Sequence, residues 1–274
     1  MPDTSTATAR APLASLLLLA AACGSQPPAV AQNVAEPAPS SAVISPDQPL
    51  GRIGIAPLAT RDAGSWIPAG PQAVLVVMPA EGIAAGAALT AIDTAGRSAP
   101  VTAAAPAKVP YGCDGQALDV LAFTGPRLQP GPVWLLPPRP PVAWAPRPLA
   151  IASPAGPATE ARRRDTVGPL ALELARTDAT HGTLTIARAG RVLHTAPFER
   201  GAMEGADPRP LDLRGPGIAI PVPVAAWAVA EGGPILLVLL VSSYEGASLR
   251  PILVQDGGTR ELPDLASYLY QCAF

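Results

Sequence analysis

Apolar positions in this chain come in short runs, each closed by glycine, proline or a polar turn residue. That pattern belongs to strands, since helical faces recur every three to four residues over longer stretches. Residues 73–78 form a continuous apolar run stopped by Pro79. Residues 88–93 and 98–103 flank Ala95-Gly96-Arg97 and predict a hairpin; 117–123 predict a further strand, ended by Gly125-Pro126. The alanines at 83–88 offer a helical turn instead, weakened by Gly82 and Gly86. Further on, 170–175, 183–187 and 191–195 predict strands, the last two joined by Ala189-Gly190. In 218–224, Pro221 and Pro223 stand two apart, so both missing donors lie along one side, as on an edge strand. Residues 235–241 are seven large aliphatics in a row, which predicts a strand covered on both faces, at the centre of a sandwich or barrel. A membrane helix over 218–241 competes with this reading, but Pro221, Pro223 and Glu231-Gly232-Gly233-Pro234 interrupt it.

Between residues 126 and 157 stand eleven prolines. Helix interiors and sheet ladders need the donor that proline lacks. Residues 125–165 therefore read as a proline-rich linker or strap between two β-rich modules, 51–124 and 166–274. Trp134 and Trp144 lie within it, either as a ligand-stacking surface or as pegs fastening the strap to the modules; the pegs are the preferred reading. At the far end Tyr268, Tyr270, Cys272 and Phe274 alternate onto one face of a strand. Leu265, Leu269 and Cys272 fit a helix as the alternative. The expected fold is mainly β, with both modules of sandwich or small-barrel type.

At the start, Arg10 precedes a short apolar segment, 11–22, that ends in Ala20-Ala21-Ala22 and is followed by Cys23-Gly24-Ser25. A basic residue, an apolar core and small residues make a secretory signal, and a dozen apolar residues fall short of the roughly 20 that span a bilayer. Leu19-Ala20-Ala21-Ala22-Cys23 resembles the lipobox of bacterial lipoprotein precursors, with Ala20 where that family most often has leucine. The resemblance covers about 25 residues, since the signal and lipobox alone carry it. It implies removal of 1–22, acylation of Cys23 and attachment to a membrane through the N-terminal lipid. Ala20-Ala21-Ala22 and Ala29-Val30-Ala31 also suit an ordinary signal peptidase, which would release a soluble exported protein. Residues 24–50, rich in Pro, Ala, Ser and Gln, show no periodic apolar pattern, so 23–50 reads as a lipidated, disordered tether.

Composition narrows the function. With 19 Lys+Arg against 21 Asp+Glu the net charge is −2, which excludes a nucleic-acid binder working through net basicity. At 49% hydrophobic and 15% charged, the chain is also no disordered polyelectrolyte.

Chemistry is thinly marked. No Cys-x-x-Cys pair, no His-x-x-x-His spacing, no phosphate loop and no Gly-x-Ser-x-Gly elbow occurs, so the sequence points to no metal and no cofactor. His194 falls in an expected strand and His181 at an expected turn; both read as ordinary structural histidines. The most polar constellation is Glu199, Glu204 and Asp207, with Glu245 in a second Glu-Gly-Ala segment. If their loops adjoin, these carboxylates would bind a cation or work as acid and base. Solvated turns are the plainer reading. If Cys23 carries lipid, Cys113 and Cys272 are the remaining thiols of a chain bound for an oxidising compartment, and the expectation is a Cys113–Cys272 disulfide.

The sequence thus leads to an exported, membrane-anchored envelope lipoprotein with a non-catalytic binding or scaffold role, and leaves open whether its partner is a protein or a glycan. A secreted hydrolase using the carboxylate cluster of the second module is one alternative, and a carbohydrate-binding module is another.

Overall fold

The computed structural model describes residues 44–45, 47–56, 73–77, 83–104, 107–111, 116–201, 210–243, 246–265 and 267–270, all within one unit running from Pro39 to Phe274. The fold is mainly β: three antiparallel sheets and one 3-10 turn, Pro263–Leu265.

The first sheet comprises β1 (Arg52–Ala56), β2 (Ala73–Val77), β3 (Ala88–Asp93), β4 (Ser98–Ala103), β5 (Ala107–Tyr111), β6 (Gln116–Thr124) and β7 (Gly131–Leu135). Its order is β2-β1-β7-β3-β4-β6-β5, and β2 also pairs with β6, so the sheet curls until its ends meet. Strand β5 prolongs β4 along one side of β6, one residue out of step: Ala103 pairs with Phe123, then Ala107 with Val120. One set of side chains, including Leu89, Val101, Phe123 and Val133, packs among themselves.

The chain then builds β8 (Arg147–Pro148), β9 (Ile151–Ala152), β10 (Arg162–Val167), β11 (Leu170–Arg176), β12 (His181–Arg188) and β13 (Arg191–Glu199). Strands β13-β12-β11-β10-β9 make the second sheet. The third consists of β17 (Gly258–Glu261), β16 (Gly246–Gln255), β15 (Ile235–Ser242), β14 (Pro221–Ala228) and β8, in that order. Strand β18 (Ser267–Tyr270) pairs with β16 as well.

The third sheet is the middle layer. Along β15 the aliphatic run divides by parity, as strand geometry requires. Ile235, Leu237 and Leu239 face the second sheet and join Leu172, Leu174, Leu184 and Ile186. Leu236 and Val238 face the curled sheet and meet Ile53, Ile92 and Trp134. Each such buried side chain contributes about 1.5–3 kcal/mol over leaving it exposed. Both faces of β15 are thus covered, as its unbroken apolar run predicts. In β14, the proline half forms a margin of the sheet, because β8 reaches only Trp227 and Ala228.

Three tryptophans close the joint between the curled sheet and the middle layer. Trp134 lies with its ring centroid 6.1 Å from Trp227 and 5.7 Å from Trp144. The Trp134 indole N–H donates to the Leu50 carbonyl at 2.6 Å, and that of Trp227 to the Asp93 carbonyl at 3.2 Å. Asp93 is itself fully buried. Its carboxylate accepts the N–H groups of Ala95, Arg97 and Gln129 and the Arg97 guanidinium. One side chain therefore holds the β3–β4 turn and the segment leading to β7.

Several boundaries differ from the sequence reading. The body starts before Gly51, because Ile44 and Leu50 are buried in the joint and the Ile44 N–H donates to the Gln255 side chain at 3.0 Å. Apolar residues too sparse to show periodicity were enough for packing. The segment 125–165 does more than strap: it supplies β7, an inner strand of the curled sheet, and then β8, β9 and most of β10. Its prolines lie at strand ends and turns, while Trp134 sits inside the core, as a peg would. The span 218–241 forms parts of two strands, and no helix among the described residues is long and apolar enough to cross a membrane. Of the C-terminal alternation, Tyr268 and Tyr270 fall in the strand β18 and not in a helix, while Cys272 and Phe274 lie outside the described residues.

Candidate functional site

The second and third sheets form a sandwich that is laced differently at its two sides. On one side the chain passes straight from β8 in one sheet to β9 in the other. On the opposite side the last strands, β13 and β17, face each other. There the His194 ring Nδ1 and the Thr259 hydroxyl share a hydrogen bond of 2.7 Å, and Arg188 donates to Asp256 at 2.7 Å.

Beyond His194 the two strands part and leave a cavity of about 370 Å³. Its wall is mostly apolar: Leu184, Phe198, Leu239, Val241, Ile252 and Leu262 are among the lining residues. The alternation of β13 turns Ala196 and Phe198 inward and leaves Thr195, Pro197 and Glu199 exposed. Phe198 is held by its cross-strand neighbour, since its ring occupies the place where a Cβ on Gly182 would stand. Polar groups in the lining are His194, Glu199, Arg250 and Glu261. The His194 Nε2 is buried and meets no hydrogen-bond partner among the described residues.

The Arg200 N–H bonds to the Thr180 carbonyl, and the Leu262 N–H to the Pro251 carbonyl. Antiparallel pairs alternate between bonded and non-bonded positions. The register therefore turns the backbone groups of Thr195, Pro197 and Glu199 away from β12, and those of Thr259 and Glu261 away from β16. Among the described residues no strand pairs with either edge.

A second cavity, about 510 Å³, lies between the curled sheet and the segment after β17, bounded by Leu50, Arg52, Leu89, Leu135 and Leu265. Glu261, Leu262 and Pro263 border both cavities. The Arg52 guanidinium reaches across to the Asp264 carbonyl at 2.6 Å.

Of the carboxylates singled out from sequence, Glu199 is exposed on β13, with Oε1 3.4 Å from the His181 Nε2. Glu204, Asp207 and Glu245 lie outside the described residues, as do Cys23, Cys113 and Cys272. His181 also bonds through Nδ1 to the Asp178 carboxylate at 2.9 Å. That hydrogen bond raises the imidazole above its usual 6.5. Asp178 is held down at about 2, first by the Thr180 N–H and then by the histidine. Among the described residues no three His, Cys, Asp or Glu side chains converge as a metal site.

A buried ion pair lies elsewhere on the same sandwich. The Arg163 Nε spans the two Asp165 oxygens at 3.0 and 3.1 Å, and the Ser153 hydroxyl bonds to both partners. All three side chains satisfy one another, which marks a structural clasp.

Sequence reasoning missed Arg250 and Glu261 and discounted His194. A usable signal was present: Asp256-Gly257 is a two-residue hairpin turn, which folds β17 back on β16 and sets Glu261 opposite Ile252. Nothing local, however, brings β13 alongside β17.

Comparison of the chain with protein-family models, with curated proteins and with solved structures finds no match in any of the three.

Proposed function

We propose that this chain is an exported envelope lipoprotein, anchored to a membrane through acylated Cys23, whose body binds a partner and does not catalyse a reaction. Support for the anchor is the apolar segment ending in Ala20-Ala21-Ala22-Cys23. The observation that carries the binding role is the apolar cavity between β13 and β17, two edges with which no strand among the described residues pairs. Sugar recognition draws less support from this cavity, because among the described residues Phe198 is its one lining aromatic apart from the His194 imidazole. The hydrolase reading needs carboxylates that converge; of its four, Glu199 alone lies among the described residues, exposed, with Oε1 3.4 Å from the His181 Nε2. A Cys113–Cys272 bridge belongs to the same reading, since export brings the thiols into an oxidising compartment.

Replacing Cys23 with Ala tests the anchor. The protein should move from the membrane fraction to the soluble fraction, with its far-UV spectrum unchanged. Wild-type protein already in the soluble fraction would overturn it.

A further inference from the structure

We infer that the cavity beyond His194 binds a small zwitterion, an α-amino acid with a large apolar side chain, whose carboxylate pairs with Arg250 and whose ammonium pairs with Glu261. This rests on the binding role proposed above and names its ligand.

Strand parity puts both charges on the cavity side of the third sheet. Residues directly opposite each other on antiparallel neighbours project to one face. Arg250 stands opposite Leu239, and Glu261 opposite Ile252. Leu239 and Ile252 belong to the core shared with the second sheet, so the guanidinium and the carboxylate start from that same face. Both residues line the cavity and both are exposed, which places their charged ends at its rim. They are diagonal neighbours, about 7–8 Å apart at the backbone, within reach of one small ligand.

The two charges are also open. Among the described residues neither side chain has an ion-pair or hydrogen-bond partner. The other polar lining residues are engaged: Glu199 with His181, and the His194 ring with Thr259. A zwitterion meets each open charge with its opposite, whereas a singly charged ligand sets a like charge beside one of them. Behind the rim, Leu184, Phe198, Leu239 and Ile252 offer apolar surface to a side chain.

Size decides between sources of that pair of charges. At about 30 Å³ for a water-sized group, a cavity of about 370 Å³ holds about a dozen heavy atoms. An amino acid with a large side chain matches this. A two-chain phospholipid with an ethanolamine headgroup carries the same charges and is far too large.

The test places the full chain in phosphatidylcholine vesicles, with empty vesicles as the blank, and titrates phenylalanine by calorimetry. Two analogues each lack one charge: phenylalaninamide the carboxylate, 3-phenylpropanoate the ammonium. Saturable heat is expected with phenylalanine, and each analogue should bind about tenfold or more weaker, the scale of one charge-assisted hydrogen bond. Arg250→Gln should weaken phenylalanine by the same factor and leave phenylalaninamide unchanged. Glu261→Gln should weaken phenylalanine likewise and leave 3-phenylpropanoate unchanged, both variants keeping the far-UV spectrum. Phosphatidylethanolamine in the vesicles should not displace phenylalanine; displacement would assign the site to a lipid headgroup and overturn the amino acid. Equal binding of all three ligands, or of phenylalanine by both variants and the wild type, would overturn the charge pair while leaving a binding body in place. No saturable heat from any of the three would overturn the ligand and remove the cavity as support for the binding role.

Discussion

The indole N–H of Trp227 donates to the backbone carbonyl of Asp93 at 3.2 Å, joining positions 134 residues apart. This contact ties the middle sheet to the turn of the first hairpin, so the two β-rich halves share a core. Trp227→Phe keeps most of the packing and loses the hydrogen bond, a cost of about 1 kcal/mol. Trp227→Ala removes a fully buried side chain and costs about 3–5 kcal/mol. Urea unfolding followed by tryptophan fluorescence and by circular dichroism should give one coincident transition for the wild type. Two separated transitions would show that the halves unfold independently.

Asp93 is the polar counterpart of that joint. Asp93→Ala leaves three backbone N–H groups and a guanidinium without their acceptor. The expected loss is about 3–5 kcal/mol in denaturant unfolding. Arg97, whose side chain is 61% exposed, should tolerate replacement by Ala at under about 1 kcal/mol. Equal costs for the two would contradict the hub assigned to Asp93.

The Asp178–His181 pair sets a pH dependence whose sign follows from its shifts. His181 is raised, so its contribution is full below pH 6.5 and fades as pH rises through the folded value. Asp178 is lowered, so its contribution is full above 3.8 and fades as pH falls through about 2. The turn is therefore tightest between these limits. An NMR titration should place His181 above 6.5, and Asp178→Asn should bring it down. An unshifted His181 in the wild type would contradict the pairing.

Much of the strand pattern is legible because it depends on neighbours in sequence. The β3–β4 hairpin emerges where Ala95-Gly96-Arg97 places it, and β15 where seven aliphatics stand together. Strand β7 is hidden by Pro130 and Pro132 at its margin, although Val133-Trp134-Leu135 is an apolar run and all three are buried. The cleft is less legible still. His194, Glu199, Arg250 and Glu261 are ordinary strand residues until two edges from different sheets come together. Asp93 is only the last residue of the strand expected over 88–93; its burial arises because Trp227 and the segment around Gln129 close over it.

The proposed bridge would link two positions lying just beyond Tyr111 and Tyr270, the last residues of β5 and β18. Non-reducing peptide mapping should recover Cys113 and Cys272 in one linked fragment. Closing a loop of about 160 residues stabilises by roughly 5 kcal/mol in the chain-entropy treatment. Reduction should therefore lower the denaturation midpoint. Two separately alkylated thiols would remove the bridge.

The most direct measurement of the central claim is the intact mass of the mature protein purified from the membrane fraction. The account predicts a chain that begins at Cys23 and carries the added mass of acyl chains, with Cys23→Ala lacking that addition. An unmodified N-terminus at Cys23, or one at Gln32 after cleavage behind Ala29-Val30-Ala31, would contradict it.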